Sequence, residues 1–279
     1  MNIDVAKERI LVIKDQFTAK EAESLSWEKK TNAFDTFSKV ASFLSRPKDE
    51  DFELTYSEHR YEPFWHVVAR AKYIYDRSTT YQVPVSSDVV KNVTLLNSNF
   101  ASQNGHIHLP VMEHCIQEEL EEIFVDGVSS APNKALSSYL DHPSDIVTTT
   151  IEQIVPKSSI IVPPQTKVSG IMRDALAKMI KGIQADKILE ETVSVATIDL
   201  YYHPIYAYKY KWISKGKEGL LEIDGVTGTT SSGSKIFVQY LGKTLDPDFL
   251  FDIGADAAGM FVPGGSIAVK AARQYLHKK

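Results

Sequence analysis

Residues Tyr201 to Thr229, YYHPIYAYKYKWISKGKEGLLEIDGVTGT, constrain the fold more than any other stretch of the chain. Tyr202, Pro204, Tyr206, Tyr208, Tyr210 and Trp212 fall on every second residue, with Tyr201, His203, Ile205, Ala207, Lys209 and Lys211 between them. Strand side chains alternate between two faces, so this spacing predicts one aromatic face and one mixed face carrying lysines. A polar turn, Ser214-Lys215-Gly216-Lys217, leads to a partner strand over Leu220–Asp224. Asp224-Gly225 and Thr227-Gly228 then close it with residues suited to positive φ. The expectation is a long, strongly twisted hairpin.

The pattern occurs twice. Tyr61, Pro63 and Trp65 match Tyr202, Pro204 and Tyr206 at a constant offset of 141 (202 − 61). Tyr61, Pro63, Trp65, Val67, Ala69, Ala71, Tyr73 and Tyr75 share one face of the first copy. Glu62, His66, Arg70, Lys72 and Asp76 lie on the other. A turn near Asp76–Thr79 is expected to lead into a second strand through Tyr81, Val83 and Val85. Both copies follow a helical stretch, and the shared order of helix, strand, turn and strand reads as a duplication.

Elsewhere, apolar spacing predicts a short helix over residues 4–17 (Ala6, Ile10, Ile13, Phe17) and a longer one over 19–45. A third strand is expected over Val89–Leu96, followed by a polar connection. Met112, Cys115, Ile116, Leu120, Ile123 and Phe124 stand at helical spacing, predicting a helix over Leu109–Phe124 with a glutamate-rich wet face. Residues 127–150, rich in Ser, Pro, Asn and Asp, read as a linker or long surface loop. The proline-punctuated Val155–Pro164 suits an edge strand. A helix is expected from Ser169 through Glu191, and a further strand over Lys235–Leu241. The fold expected is thus α+β: two tandem copies of a helix packed on a long antiparallel hairpin, plus a C-terminal small-residue and helical tail. The units are 1–126 (first repeat with its following helix), 127–150 (linker), 151–245 (second repeat) and 246–279 (apolar tail).

A composition of 43% hydrophobic and 24% charged residues is that of a globular chain. Net charge −5 and a pI near 5.9 argue against a general nucleic-acid or anionic-membrane binder, which needs a basic footprint. A single cysteine, Cys115, excludes an intrachain disulfide and any Cys-only zinc site, and fits a reducing compartment. No stretch approaches the ~18 apolar residues of a membrane span, and the N-terminus lacks a signal-peptide apolar core. The expected setting is cytoplasmic.

Few residues offer chemistry. His106 and His108, two apart on a strand face, are the metal-ligand candidates, with Glu113, His114 and Cys115 following. A zinc site needs three or four convergent ligands, and the helical reading turns Cys115 away from the histidines, so neither metal nor cofactor is expected. Cys115 with His114 or His142 would suit acyl transfer, but neighbours on a helix cannot form the nucleophile–base hydrogen bond. Gly225-Val226-Thr227-Gly228 and Gly264-Gly265-Ser266 lack the phosphate-cradling patterns and read as turns. Lys209, Lys211, Lys215 and Lys217 beside aromatics suggest an RNA-binding sheet. Alternation, however, separates the strand lysines from Tyr208, Tyr210 and Trp212, which places those rings in the core.

The helix-then-hairpin order, Tyr202-His203-Pro204-Ile205-Tyr206 and the closing Asp224-Gly225-Val226-Thr227-Gly228 together resemble PepSY-like modules. They are also similar to uncharacterised bacterial domains, often attached to zinc ribbons, whose hairpins open on an aromatic-proline motif and close on N-G-x-T-G. The resemblance covers the second copy more fully than the first, which lacks the closing motif. It implies a fold and a regulatory or binding role. The zinc ribbon's cysteines are absent, so no metal function carries over. The function expected is a non-enzymatic binding or assembly module, with a protein partner or a homo-oligomer, acting through sheet edges or the tail. Phe249, Phe251, Met260, Phe261 and Val262 are the tail's candidate interface residues. The alternative is an enzyme with a pocket between the repeats.

Overall fold

The structure, a computed structural model, describes residues 2–34 and 47–232. Two long strands form its centre. β3 (Phe52–Pro84) and β9 (Lys187–Trp212) run antiparallel from Phe52 opposite Trp212 to Asp76 opposite Lys187, with the register shifting between Leu54 and Tyr56, Val68 and Ala69, and Ile74 and Tyr75. On the outer side of β9 lie β10 (Lys217–Asp224, antiparallel), β2 (Arg9–Ile13, parallel) and β1 (Asn2–Val5, parallel). On the outer side of β3 lie β6 (His106–Asp126, antiparallel) and β8 (Ile160–Ile161, parallel). β11 (Thr230–Ser232) extends the β10 edge, and β7 (Ser144–Ile146) pairs with β2. β4 (Asn92–Leu95) and β5 (Ser98–Gln103) form a small hairpin beyond the end of β6.

This corrects the expected α+β pair of helix-on-hairpin units. Among the described residues strand outweighs helix 53% to 20%, and the strands make one large mixed sheet. Residues 4–17 are not a helix: β-branched Ile10, Val12 and Ile13 belong to or adjoin contacts with β9, with Leu11 opposite Tyr201 and Val12 opposite Tyr202. Leu109–Phe124 is strand, not helix. No turn forms at Asp76–Thr79, because β3 continues through it to Pro84. Helix α1 is confined to Ala19–Glu28, where Thr18 and Glu21 cap each other's backbone N–H. Helix α2 spans Val168–Met179 and stops short of Gly182, a residue that disfavours helix interiors. Residues 127–150 are tied into the sheet through β7 and through buried Leu136 and Tyr139. The expected strand over Lys235–Leu241 and the tail residues Phe249, Phe251, Met260, Phe261 and Val262 lie outside the described residues.

An internal two-fold correspondence runs through the sheet. Tyr61 faces Pro204 and Pro63 faces Tyr202, so the two Tyr-x-Pro motifs sit across the same axis. Trp65 donates its indole N–H to Thr166 O (2.9 Å), and Tyr206 donates its hydroxyl toward Phe17 O (3.0 Å). Gln165 N–H reaches Gly127 O (2.7 Å), as Gln16 N–H reaches Gly225 O (2.8 Å). The first copy therefore has its own closing motif, Asp126-Gly127-Val128-Ser129, matching Asp224-Gly225-Val226-Thr227. In both, the aspartate Oδ1 accepts the backbone N–H groups two and three residues on. The glycines are there for closeness rather than for positive φ. Gly127 N–H binds Pro63 O and Gly225 N–H binds Pro204 O, and a Cβ at either would press on that proline. Gly228, at φ 69°, does need the left-handed region.

Each helix packs on the large sheet, against strands distant from it in sequence. α1 precedes β3 yet covers the aromatic face of β9 and β10, where Ala22 meets the cluster of Tyr206, Tyr208, Tyr210 and Trp212. α2 precedes β9 yet buries Ile171, Ala175, Leu176 and Met179 against Val67, Ala69, Ala71 and Tyr73 of β3. Two of the polar ends find partners: Tyr73 donates to Met179 O (2.7 Å), and the Tyr210 and Ser26 hydroxyls meet at 2.6 Å. The opposite face is closed by Phe64 stacked on Tyr201 (ring centroids 5.1 Å) beneath Leu136 and Tyr139.

Candidate functional site

A two-fold scaffold offers an internal control, since a feature present in only one half is not required by the fold. Two such features occur. The first is an arm. β9 and β10 pair only out to Trp212–Lys217, where Gly216 turns the chain. The equivalent pair β3 and β6 runs from Phe64–Asp126 out to Pro84–His106. Beyond Arg77–Glu113 it leaves β9 behind, meets β5 only at its tip (Ser102 opposite Ile107), and projects about 25 Å at ~3.3 Å per residue.

The arm and the β6 edge are exposed and apolar. Met112, Ile116 and Leu120, spaced four apart and thus on one face, are 51%, 70% and 62% exposed. Tyr81, Leu95 and Leu96 are exposed further out. Among the described residues, β6 pairs with nothing on its outer side between His108 and Ile123. Its glutamates are largely engaged from within. Glu113 meets Arg77 (2.5 Å), Glu119 meets Lys181 (2.6 Å) and Glu121 meets Lys178 (2.6 Å).

The second feature is a chain of hydrogen bonds on the face that carries α1 and α2. Ser159 Oγ lies 2.8 Å from His59 Nδ1, and His59 Nε2 lies 2.9 Å from Asp15 Oδ1. Tyr61 donates its hydroxyl to Asp15 Oδ2 (2.7 Å), and the Tyr206 hydroxyl reaches Oδ1 (2.9 Å). His59 stacks on Tyr206 with centroids 4.3 Å apart. Burial by itself would push the Asp15 carboxyl up. The hydrogen bonds from His59, Tyr61 and Tyr206, with the nearby imidazole, outweigh it and hold Asp15 below the usual aspartate range. Tyr61 and Tyr206 are pushed up, first by burial and then by the carboxylate beside them. Each member arrives by a different route: Asp15 from the segment after β2, His59 from β3, and Ser159 from the turn before β8.

A second polar cluster lies on the opposite face. Arg60, fully buried, is held by Glu58 (2.9 Å), Glu62 (2.6 Å) and Glu222. Tyr139 donates to Asp224, whose other oxygen is committed to its own turn. Its groups are spent on one another, which marks a structural network.

The residues singled out in the sequence do not converge. His106 binds Asn104 O through Nδ1 (3.0 Å), His108 is exposed, and no group able to hold a metal ion occurs among the described residues. His114 pairs with Asp76 (2.7 Å) on the strand face opposite Cys115, so the two cannot act together. Tyr208, Tyr210 and Trp212 are buried, which leaves no stacking platform there; Lys209 pairs with Glu218 and Lys215 lies over the Trp212 ring. Asp15, His59 and Ser159 were missed because 144 residues separate the first from the last (159 − 15). One signal was present: aligning Leu11-Val12-Ile13 with Ile160-Ile161-Val162 exposes Ser159 and Asp15 as the odd members of a repeat. Comparisons with family models, with curated proteins and with solved structures return no match. Among the described residues no helix is long and apolar enough to cross a membrane.

Proposed function

We propose that the chain is a binding and assembly module whose outer β6 edge pairs with the same edge of a second copy. The observation that carries this reading is the open run of β6 between His108 and Ile123, lined on one face by Met112, Ile116 and Leu120. An unpaired edge is a template for another strand, and a two-stranded ribbon is marginally stable alone. An antiparallel two-fold centred on Ile116 would set Ile116 against itself and Met112 against Leu120. The same register sets His114 against Glu118, so the ladder is apolar with a complementary polar rung. The single cysteine suits a reducing, cytoplasmic setting.

Sedimentation of the full chain across the micromolar range, with Ile116→Cys in a Cys115→Ser background, tests the reading. Expected are a dimer and its rapid oxidation to a disulfide-linked pair. A chain that stays monomeric and never crosslinks at this position would refute it.

A further inference from the structure

The Ser159–His59–Asp15 chain is absent from the other half of the molecule, where the equivalent positions are Ile10, Leu200 and Pro164. Those equivalences follow from the pairing: His59 and Ser159 precede the Arg60–Ile160 pair of β3 and β8, as Leu200 and Ile10 precede the Tyr201–Leu11 pair of β9 and β2. Leu200 is buried and Ile10 packs against the same cluster, so this corner of the fold closes with apolar side chains alone. The polar trio is an addition to the scaffold, not a requirement of it.

Asp15, ionised, is acceptor-only, so His59 donates to it from Nε2. In the neutral imidazole Nδ1 is then a lone pair, and Ser159 Oγ donates its proton to it. His59 is held in plane by stacking on Tyr206, and Tyr61 and Tyr206 fix the carboxylate. Nucleophile, base and orienting acid thus stand in order, with the two imidazole nitrogens used in the reverse sense to a serine protease. Ser159 is half-exposed at the end of a turn closed by its N–H on Pro156 O. Among the described residues the N–H groups of Lys157 and Ser158 in that turn donate to nothing.

We propose that Ser159 is an activated nucleophile that takes a short acyl group from an ester, with His59 as its general base and Asp15 as the positioning residue. Ser159 Oγ attacks the ester carbonyl carbon as its proton passes to His59 Nδ1, and the turn amides of Lys157 and Ser158 are the donors available to the oxyanion. The tetrahedral adduct collapses by breaking the bond to the alkoxy oxygen, and His59 returns its proton to the departing alcohol. Water then attacks the acyl-serine, its proton going to Nδ1. The carboxylic acid leaves as Ser159 recovers that proton. Exposed Pro156, Lys157 and Ser158 around the nucleophile suit a short acyl group approached from solvent.

The full chain, labelled with a fluorophosphonate and digested, tests this with Ser158 as an exposed neighbour in the same turn. Expected is one adduct on Ser159, formed at least about tenfold faster than on Ser158, and acetylation of the same residue by p-nitrophenyl acetate. His59→Gln, with its melting transition retained, should slow labelling by a similar factor. In Asp15→Asn the amide can donate to His59 Nε2 and turn the Nδ1 proton toward Ser159, so labelling falls. Asp15→Glu keeps an acceptor-only carboxylate for Nε2 and should recover part of that rate, whereas a merely structural Asp15 would give equal rates in the two folded variants. Labelling of Ser159 no faster than Ser158 in the unaltered chain overturns the proposal without recourse to any variant.

Discussion

Replacing Trp65 with alanine probes the joint between the two halves. Trp65 is 4% exposed in the cluster shared by β3, β9 and α2, and its indole N–H reaches Thr166 O at 2.9 Å. Truncating a buried tryptophan costs ~3–5 kcal/mol through lost packing and a residual cavity. The freed Thr166 carbonyl adds about 1 kcal/mol. Against a total stability of roughly 5–15 kcal/mol, Trp65→Ala should leave a marginal protein. Trp65→Phe keeps much of the apolar contact but loses the donor, so it should cost less than half as much. Urea unfolding followed by far-UV circular dichroism gives both values from midpoints at constant slope, with no reliance on tryptophan fluorescence. A loss under about 1 kcal/mol for Trp65→Ala, or equal losses for the two variants, would show that the ring neither fills nor ties this joint.

Four further outcomes follow from the same geometry. Gly127→Ala places a Cβ 2.6 Å from Pro63 O, and Gly225→Ala one 3.0 Å from Pro204, so the first should destabilise more, by ~1–3 kcal/mol in urea titration. Arg60→Met strands Glu58, Glu62 and Glu222 around an apolar side chain and should cost about 3–5 kcal/mol, unless the pH is lowered to protonate them. Asp15 has a depressed native pKa, so its contribution is fully present above the unfolded aspartate range and is lost as pH falls through the native value. Asp15→Asn should therefore flatten the acid limb of a melting-temperature profile, and an unchanged limb would show the carboxylate is not held. Replacing Tyr81–Leu109 with Asn-Gly should leave the thermal transition within a few degrees, because among the described residues the strands of that segment pair only with one another. A collapse of the transition would make the arm part of the core.

Local sequence determined the long alternating strands. Tyr202 through Trp212 could bury an aromatic face only as a strand, and Asp224-Gly225 could close it only as a turn. The Tyr-x-Pro pairing was legible for the same reason, since period two is a property of the chain itself. β6 was not. Met112, Ile116 and Leu120 are spaced by four, a multiple of two that is also close to one helical turn, so the pattern fits either element. Pairing with β3 settled it, burying backbone groups that a helix would have satisfied alone. The closing motif at Asp126-Gly127 stayed hidden behind the arm that separates it from Pro63, until Gly127 N–H was seen on Pro63 O. Asp15, His59 and Ser159 carry no local signature at all. Hydrogen bonding acts over about 3 Å and takes no account of chain separation, so only the folded sheet could bring these three side chains into one line.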